Sequence, residues 1–214
     1  MLQMKEDIDF ITRQLDLHLA NVHPVLFHSV AERVPAEMRD GAIDEDGWVC
    51  WKCIPSTITE EEIKELENEF SISFPPMMRA LFRTYHYVDL HFNNIEDETG
   101  HRGDCQFIEL PPMSSQDRLT RYRDIIQAWE PLLAAGYLPF TEAEDSQGPV
   151  CFDMTRIDDS GDYPVVWFLH DHLHELGEEQ SRIREQVQPW ERELFSSFRE
   201  MIEMLCGLQP PHRE

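Results

Sequence analysis

The segment "HDHLH" brings four side chains that commonly bind metal ions into five residues. They are His170, Asp171, His172 and His174. The preceding run "YPVVWFL" is rich in β-branched and aromatic residues and predicts a strand. If the strand continued, the three histidines would point to one face, where they could bind zinc. We expect no metal here, because strands seldom persist through so polar a segment and the sequence names no partners that would orient the histidines.

A second candidate is "CWKC", in which Cys50 and Cys53 have the C-x-x-C spacing. One such unit is half a zinc site, and the other cysteines and histidines stand at no recognised spacing from it. A thioredoxin-like role requires a helix after the motif, whereas "IPST" predicts a loop. Two packed thiols are therefore favoured, and no cofactor is expected. A zinc- or thiol-dependent enzyme that uses Cys50, Cys53 and residues 170–174 remains an alternative.

Other catalytic motifs are not found in the sequence. It contains no G-x-S-x-G, no H-E-x-x-H and no glycine-rich phosphate loop. With 42 acidic residues, carboxylates paired by chance are expected, so catalytic carboxylates cannot be picked out. We predict that the protein is not an enzyme.

The charge balance points to a basic partner. Lys and Arg total 18 and Asp and Glu total 42, giving a formal net charge of −24. Such a surface repels nucleic acid and anionic lipid and attracts a basic protein. No apolar run is long enough for a membrane span, "MLQMKEDIDF" lacks the features of a secretory signal, and the five cysteines are an odd number. We expect a cytoplasmic protein with reduced thiols and no nucleic-acid or membrane partner; its oligomeric state is left open.

Helix signals come first along the chain and strand signals follow. "STITEEEIKELENEF" predicts a helix capped by Thr59 and Glu62, with Ile58 and Ile63 as a hydrophobic staple. Helical spacing also predicts helices over 6–20, from Pro76, over 114–129 and over 189–205. Strands are predicted at "VDLHF", "CQFIEL", "GYLPFTEA", "PVCFDM" and "YPVVWFLH". The last three are consecutive and can pair as an antiparallel meander, which predicts an α+β fold.

The order of these segments resembles the SUKH superfamily, which includes bacterial immunity proteins and fungal glucan-synthesis regulators of the Smi/Knr type. In "ITEEEIKELENEFSISFPPMMRALFRTY", Leu66-Glu67 matches the Leu-Glu pair of the family and Phe74-Pro75 stands for its "LP" break. The segment 85–87 departs from the usual Asn-Gly turn. In the second half, "LPFTEAEDSQGPVCFDM" is similar to a strand, acidic turn and strand ending in the family aspartate, here Asp153. "GDYPVVWFLHDH" and "LFSSFREMIEML" are similar to the next strand and the terminal helix.

The resemblance covers about residues 48–205 and implies a single SUKH-type α+β domain, a mostly antiparallel sheet flanked by helices. Residues 1–47 would be an N-terminal helical extension and 206–214 a tail. His170-Asp171 would end a core strand. The family implies no shared catalytic machinery. Its bacterial members bind and neutralise toxins, many of them nucleases, whereas the fungal branch implies a regulatory scaffold with several partners.

Residues 141–180 contain eleven acidic residues opposed only by Arg156. Because the strands of this window are apolar, the acids must lie in turns and on the outer face. One interpretation is a solvated rim that protects sheet edges; the resemblance favours a docking surface for a cognate basic toxin, with Tyr163 as an aromatic anchor. The acidic turns would steer the toxin and the sheet face would occlude its active site. The predicted toxin-binding residues are Glu142, Glu144, Asp145, Asp153, Asp158, Asp159, Asp162, Tyr163 and Asp171.

Overall fold

A computed structural model describes residues 2–21, 24–93, 107–143 and 148–207. The helices in these ranges are α1 (Leu2–Asn21), α2 (Glu60–Phe70), α3 (Pro76–Phe82), α4 (Thr120–Ala128), α5 (Pro131–Ala134), α6 (His170–Ser181), α7 (Arg184–Val187) and α8 (Phe198–Gly207). Short 3-10 helices span Pro24–Phe27, Ala36–Met38 and Gln188–Trp190. The strands are β1 (His28–Val30), β2 (Trp48–Cys50), β3 (Ile54–Pro55), β4 (Tyr85–His86), β5 (Leu90–Asn93), β6 (Phe107–Leu110), β7 (Tyr137–Ala143), β8 (Pro149–Asp153), β9 (Val165–Trp167) and β10 (Arg192–Phe195).

The main sheet has six antiparallel strands in the order β10-β9-β8-β7-β6-β5. Strands β5 to β9 therefore neighbour one another in chain order, which confirms the predicted meander. Two smaller antiparallel pairs, β1–β2 and β3–β4, lie outside this sheet. The predicted α+β architecture, with helices flanking an antiparallel sheet and a helix at the N-terminus, is confirmed.

Both faces of the central strands β7, β8 and β9 are buried. Along β8, Val150 and Phe152 belong to the main core, while Cys151 points the opposite way into a second core. The main core includes apolar side chains of α1, α2, α3, α4 and α8, and the second is closed by α5, α6 and α7. The alternation follows from the two-residue period of a strand. The faces of these central strands are thus not available to cover a toxin, which corrects the predicted mechanism for this part of the sheet.

The start of α2 has the predicted cap. The Thr59 hydroxyl accepts a bond from the Glu62 N–H, and the Glu62 carboxylate accepts one from the Thr59 N–H. Ile58 and Ile63, the predicted staple, are both buried. Two interactions therefore hold the chain where it enters this helix.

The last predicted helix, 189–205, is wrong in its first half. This segment begins in a 3-10 helix, continues as edge strand β10, and becomes helical only at Phe198. Pairing with β9 and burial of Leu194 and Phe195 favour the strand over the helical spacing of the sequence. The Ser197 hydroxyl accepts a bond from the Glu200 N–H and marks the true helix start.

The first 47 residues contribute to the same core as the rest of the chain. Helix α1 packs against α3 and α8, and its Phe10, Ile11 and Leu15 are buried in the main core. Arg199 of α8 places its guanidinium over the Phe10 ring, 4.1 Å from the ring centroid. Strand β1 pairs with β2, so the expected boundary at residue 47 falls within a two-stranded unit.

Candidate protein-binding site

The predicted toxin-binding residues that the structure describes lie at two ends of the meander. Glu142 pairs with Pro149 at one end of β8, where α6 also begins; we call this the α6 end. Asp153 closes the other end of β8, from which the chain runs through residues 154–164 to β9; we call this the arginine end. Since strands rise ~3.3 Å per residue, the two ends of β8 are about 13 Å apart. The seven predicted residues that the structure describes therefore do not form one cluster.

At the arginine end, the Asp153 carboxylate is an internal structural group. Asp153 is fully buried, and its Oδ2 accepts bonds from Arg156 (2.5 Å) and Arg184 (2.8 Å). Its Oδ1 accepts bonds from the backbone N–H and hydroxyl of Thr155. Burial alone would raise the pKa of Asp153, but the bonds from Arg184, Thr155 and Arg156 hold it below its ordinary value of 3.8. Asp153 is thus removed from the binding surface that the sequence suggested.

Further carboxylates share the same arginines. Arg156 also donates to Glu191 (2.5 Å) and Glu193 (2.7 Å). Arg184 lies over the Tyr137 ring, 4.5 Å from its centroid, and the Tyr137 hydroxyl donates to Glu191. Burial and this carboxylate raise the pKa of Tyr137. Acidic charge at this end is therefore largely neutralised within the molecule.

The turn between β8 and β9 uses its aspartates mainly for local structure. Asp158 is exposed, and its Oδ1 accepts bonds from Ser160 and from the Asp162 N–H; the Ser160 hydroxyl and these backbone bonds lower its pKa. Asp162 is only 3% exposed and accepts a bond from the Arg199 N–H at the start of α8. Burial raises the pKa of Asp162. Tyr163 is half-buried. Of the predicted residues in this turn, Asp159 is exposed and has no such structural role.

At the α6 end, a close backbone approach brings Gly148, which directly precedes β8, against the start of α6. Gly148 has φ +133°, and a Cβ there would lie 2.0 Å from the Phe168 carbonyl oxygen and 2.7 Å from the His170 nitrogen. Half-buried Glu142 accepts a bond from Trp129 Nε1 at 3.0 Å. Glu144 and Asp145, which the sequence analysis placed in the site, lie outside the described residues.

Helix α6 presents acidic side chains to solvent. Gly177, with φ +74° and ψ +167°, divides it into two helical pieces. It contains no Lys or Arg, and the basic residue that follows it, Arg182, pairs with Glu130 (2.7 Å). Its acidic residues are all exposed: Asp171, Glu175, Glu178 and Glu179. Together with Glu142, these four define what we call the α6 acidic surface.

A groove of about 170 Å³ lies between α6 and the segment of α4 and α5. Trp129, Leu132 and Leu173 supply apolar walls, and His170 and His174 line its rim. The Trp129 and His170 rings meet edge-on at 5.9 Å between centroids. The α6 end thus combines a shallow apolar groove with exposed carboxylates, an arrangement suited to a basic protein surface with one apolar anchor.

The histidines of "HDHLH" do not converge. His170 and His174 are one helical turn apart with nearly parallel rings, 5.9 Å between centroids, whereas His172 packs on Trp190 at 4.2 Å. The strand end predicted for His170-Asp171 is wrong, because α6 begins at His170. In the described part of the chain, no three His, Cys, Asp or Glu side chains come together as a metal site.

Comparison with models of known families places the chain in a family. The model of the SMI1/KNR4 family (SUKH-1) matches residues 57–204, more than half of the chain. The chain belongs to the SUKH family. A search of curated proteins finds no match. Of the helices that the structure describes, none is both long and apolar enough to cross a membrane.

The residues that carried the SUKH resemblance stabilise the fold. Glu67 is buried, accepts a bond from the Phe74 N–H at 2.8 Å and pairs with Arg79, which also pairs with Glu60. Asp153 organises the arginine end in the same way. Both carboxylates join one segment to another through arginine and backbone donors. A SUKH match therefore identifies the scaffold, and the binding surface must be found among the remaining residues.

Sequence analysis missed most of the α6 acidic surface and the groove beside it. The missed groove residue is Trp129, and the missed acids are Glu175, Glu178 and Glu179. A signal was present in the first part of the helix: Asp171 and Glu175 are four residues apart, as are His170 and His174, whereas Glu178 and Glu179 lie beyond Gly177, which interrupts the helical backbone. The apolar run before His170 favoured a strand and concealed this helical spacing.

Proposed function

We propose that this SUKH protein is a non-enzymatic cytoplasmic immunity protein that binds a cognate basic toxin, such as a nuclease, and occludes its active site. The proposed docking surface is the α6 acidic surface; Glu144 and Asp145, which follow β7 in the sequence and lie outside the described residues, remain proposed toxin-binding residues. The observation that carries this proposal is that α6 has four exposed acidic residues and no Lys or Arg. A basic active-site cleft that normally holds phosphates would be attracted to such a surface.

Electrostatics supports the α6 end over the arginine end. Glu175, Glu178 and Glu179 form no ion pair within the described residues, whereas Asp153, Glu191 and Glu193 each contact an arginine. Unpaired exposed charge attracts a partner over a distance of about one Debye length, ~10 Å at 0.1 M salt. In this proposal the exposed Asp158 and Asp159 form a second, smaller acidic patch for the toxin. The buried Asp153 and Asp162 do not contact the toxin but hold the turn that carries this patch.

The groove supplies the short-range part of the interaction. The half-buried Trp129 is held by its bond to Glu142, so its ring is fixed before a partner arrives. Side chains that are already ordered lose less conformational entropy on binding. We therefore expect an apolar side chain of the toxin to enter between Trp129 and Leu173 while basic side chains meet the α6 carboxylates.

The proposal predicts that a toxin gene lies beside this gene, and the test uses the product of that neighbouring gene. The wild-type chain should protect cells that express it, and the purified proteins should associate rapidly at low salt. Changing Glu175, Glu178 and Glu179 to glutamine should slow association about tenfold or more and flatten its salt dependence. A matched control changes Asp9, Glu61 and Glu65, which are equally exposed and lie on α1 and α2, to their amides.

Two outcomes would count against the proposal in different ways. If both triple variants slow association equally, net charge alone acts and the α6 site is wrong. If the wild-type chain neither binds nor protects against the neighbouring gene product, the immunity function is wrong. The SMI1/KNR4 match then favours the second candidate, a regulatory scaffold. That role predicts several weaker partners and no linked toxin gene.

A further inference from the structure

The β1–β2 pair places a histidine directly opposite a cysteine. His28 and Cys50 are cross-strand partners, and His28 Nε2 lies 2.7 Å from Cys50 Sγ. Ser29 and Val49 between them point inward and are buried, so the His28–Cys50 pair lies on the outward face with the half-exposed Trp48. His28 is exposed and Cys50 half-buried. A small reagent in solvent can therefore approach this sulfur.

The other described cysteines are in a different environment. Cys151 and Cys206 are buried in the two cores, and burial raises the pKa of both thiols, that of Cys206 to about 12. Cys53 packs against the main core, and burial together with Asp16 raises its pKa to about 12. These thiols stay protonated near neutral pH. Among the described cysteines, Cys50 is the one in contact with an imidazole.

Contact with an imidazole is what a thiol needs in order to react. The thiolate, not the thiol, is the nucleophile, and a neighbouring histidine promotes it by accepting the proton. With Nδ1 protonated, the Nε2 of His28 is free to accept the proton from Cys50 Sγ. The resulting thiolate and imidazolium then stabilise each other at close range.

We propose that Cys50 is a nucleophilic thiol activated by His28, and that it is a site of reversible S-thiolation by small disulfides. The Cys50 thiolate attacks one sulfur of the disulfide, the disulfide S–S bond breaks, and a mixed disulfide forms at Cys50. The released thiolate takes the proton from the His28 imidazolium. One disulfide is consumed and one is formed, so no further oxidant is required. The site is on β2 and is independent of the proposed toxin-binding function.

The experiment exposes the reduced full-length chain to oxidised glutathione. Samples are quenched with acid, and peptide mass spectrometry follows all five cysteines in one reaction, including Cys105, which is outside the described residues. Cys50 should be modified about tenfold faster than Cys53, Cys151 and Cys206. An excess of reduced glutathione should reverse the modification. Faster modification of any other cysteine would overturn the assignment.

The role of His28 is tested separately, by the pH dependence of the rate at which oxidised glutathione modifies Cys50. For an unassisted thiol with a pKa near 8.5, the rate falls about tenfold per pH unit below that value. The wild-type rate should fall less steeply over this range, and His28→Gln should restore the steep fall. His174→Gln, at another exposed histidine, is the matched control and should change neither the rate of Cys50 modification nor its pH dependence. A steep wild-type profile, or a His28→Gln profile equal to wild type, would show that His28 does not activate Cys50.

Discussion

The arginine end and the α6 end take their acidic residues from the same stretch of chain but use them differently. At the arginine end, Asp153 is fully buried and contacts both Arg156 and Arg184. At the α6 end, Glu175, Glu178 and Glu179 are exposed and form no ion pair within the described residues. The same side-chain type thus stabilises the fold at one end and supplies surface charge at the other.

This difference shows why a count of acidic residues does not locate a binding surface. Removing a carboxylate from water is unfavourable unless donors replace the lost hydration, and at Asp153 two guanidinium groups and Thr155 do so. On α6 water itself hydrates the carboxylates, and their field extends outward. Burial and arginine partners, rather than composition, decide which acids a protein partner meets.

The largest expected effect is a loss of stability when the buried carboxylate of the arginine end is removed. Asp153→Ala should lower the free energy of unfolding by about 3–5 kcal/mol, because Arg156 and Arg184 lose their shared buried partner. Asp159→Ala, in the exposed turn nearby, should change it by less than about 0.5 kcal/mol. Urea unfolding of both variants measures the difference. Similar stabilities would mean that the Asp153 network contributes little to the fold.

A second pair of variants compares the turns at the two ends. Gly148→Ala should cost about 3 kcal/mol or more, because its Cβ would meet the Phe168 carbonyl oxygen at 2.0 Å. Gly161→Ala, at φ +83° with no atom within 4 Å of the added Cβ, should cost only about 1 kcal/mol of backbone strain. Thermal unfolding reports both. Equal costs would show that the β7–β8 turn can move away from α6.

Local signals in the sequence predicted much of the fold, and the errors arose where tertiary contacts compete with them. The capping box at Thr59 and the alternation along β7, β8 and β9 are properties of single segments, and the structure has them as predicted. Edge strand β10 was mistaken for helix, because its partner β9 is more than 20 residues away in the chain. Pairing between strands that are far apart in the chain produces no periodic pattern in the sequence of either strand that could be detected.

The candidate site was harder to predict than the fold. Asp153, Asp159 and Asp162 lie within one stretch of ten residues, yet Asp153 and Asp162 are buried while Asp159 is exposed. Their roles depend on Arg184 and Arg199, which come from distant segments. The acids of α6 were within the predicted window, but their grouping on one surface required knowing that the chain becomes helical at His170.

A smaller effect concerns pH at the arginine end. Because the folded pKa of Asp153 lies below 3.8, its ionised form favours the folded state. The stability advantage of wild type over Asp153→Asn should be absent below the folded pKa, rise with pH, and reach its full value above about pH 5. Urea unfolding at several pH values measures this difference. A difference that does not vary with pH would show that the charge of Asp153 is not what stabilises the protein.

The smallest expected effect compares one ion pair from each end. Arg182 and Glu130 are both about half exposed, whereas Arg184 meets a carboxylate that is fully buried. Raising the salt concentration from about 10 mM to about 1 M shortens the Debye length from ~30 Å to ~3 Å and screens exposed pairs most. The small decrease in melting temperature caused by Arg182→Gln should therefore vanish at high salt, while that caused by Arg184→Gln should remain. If both persisted, the exposed pair beside α6 would act through packing of the arginine side chain, and the α6 end would be less open to solvent than its carboxylates indicate.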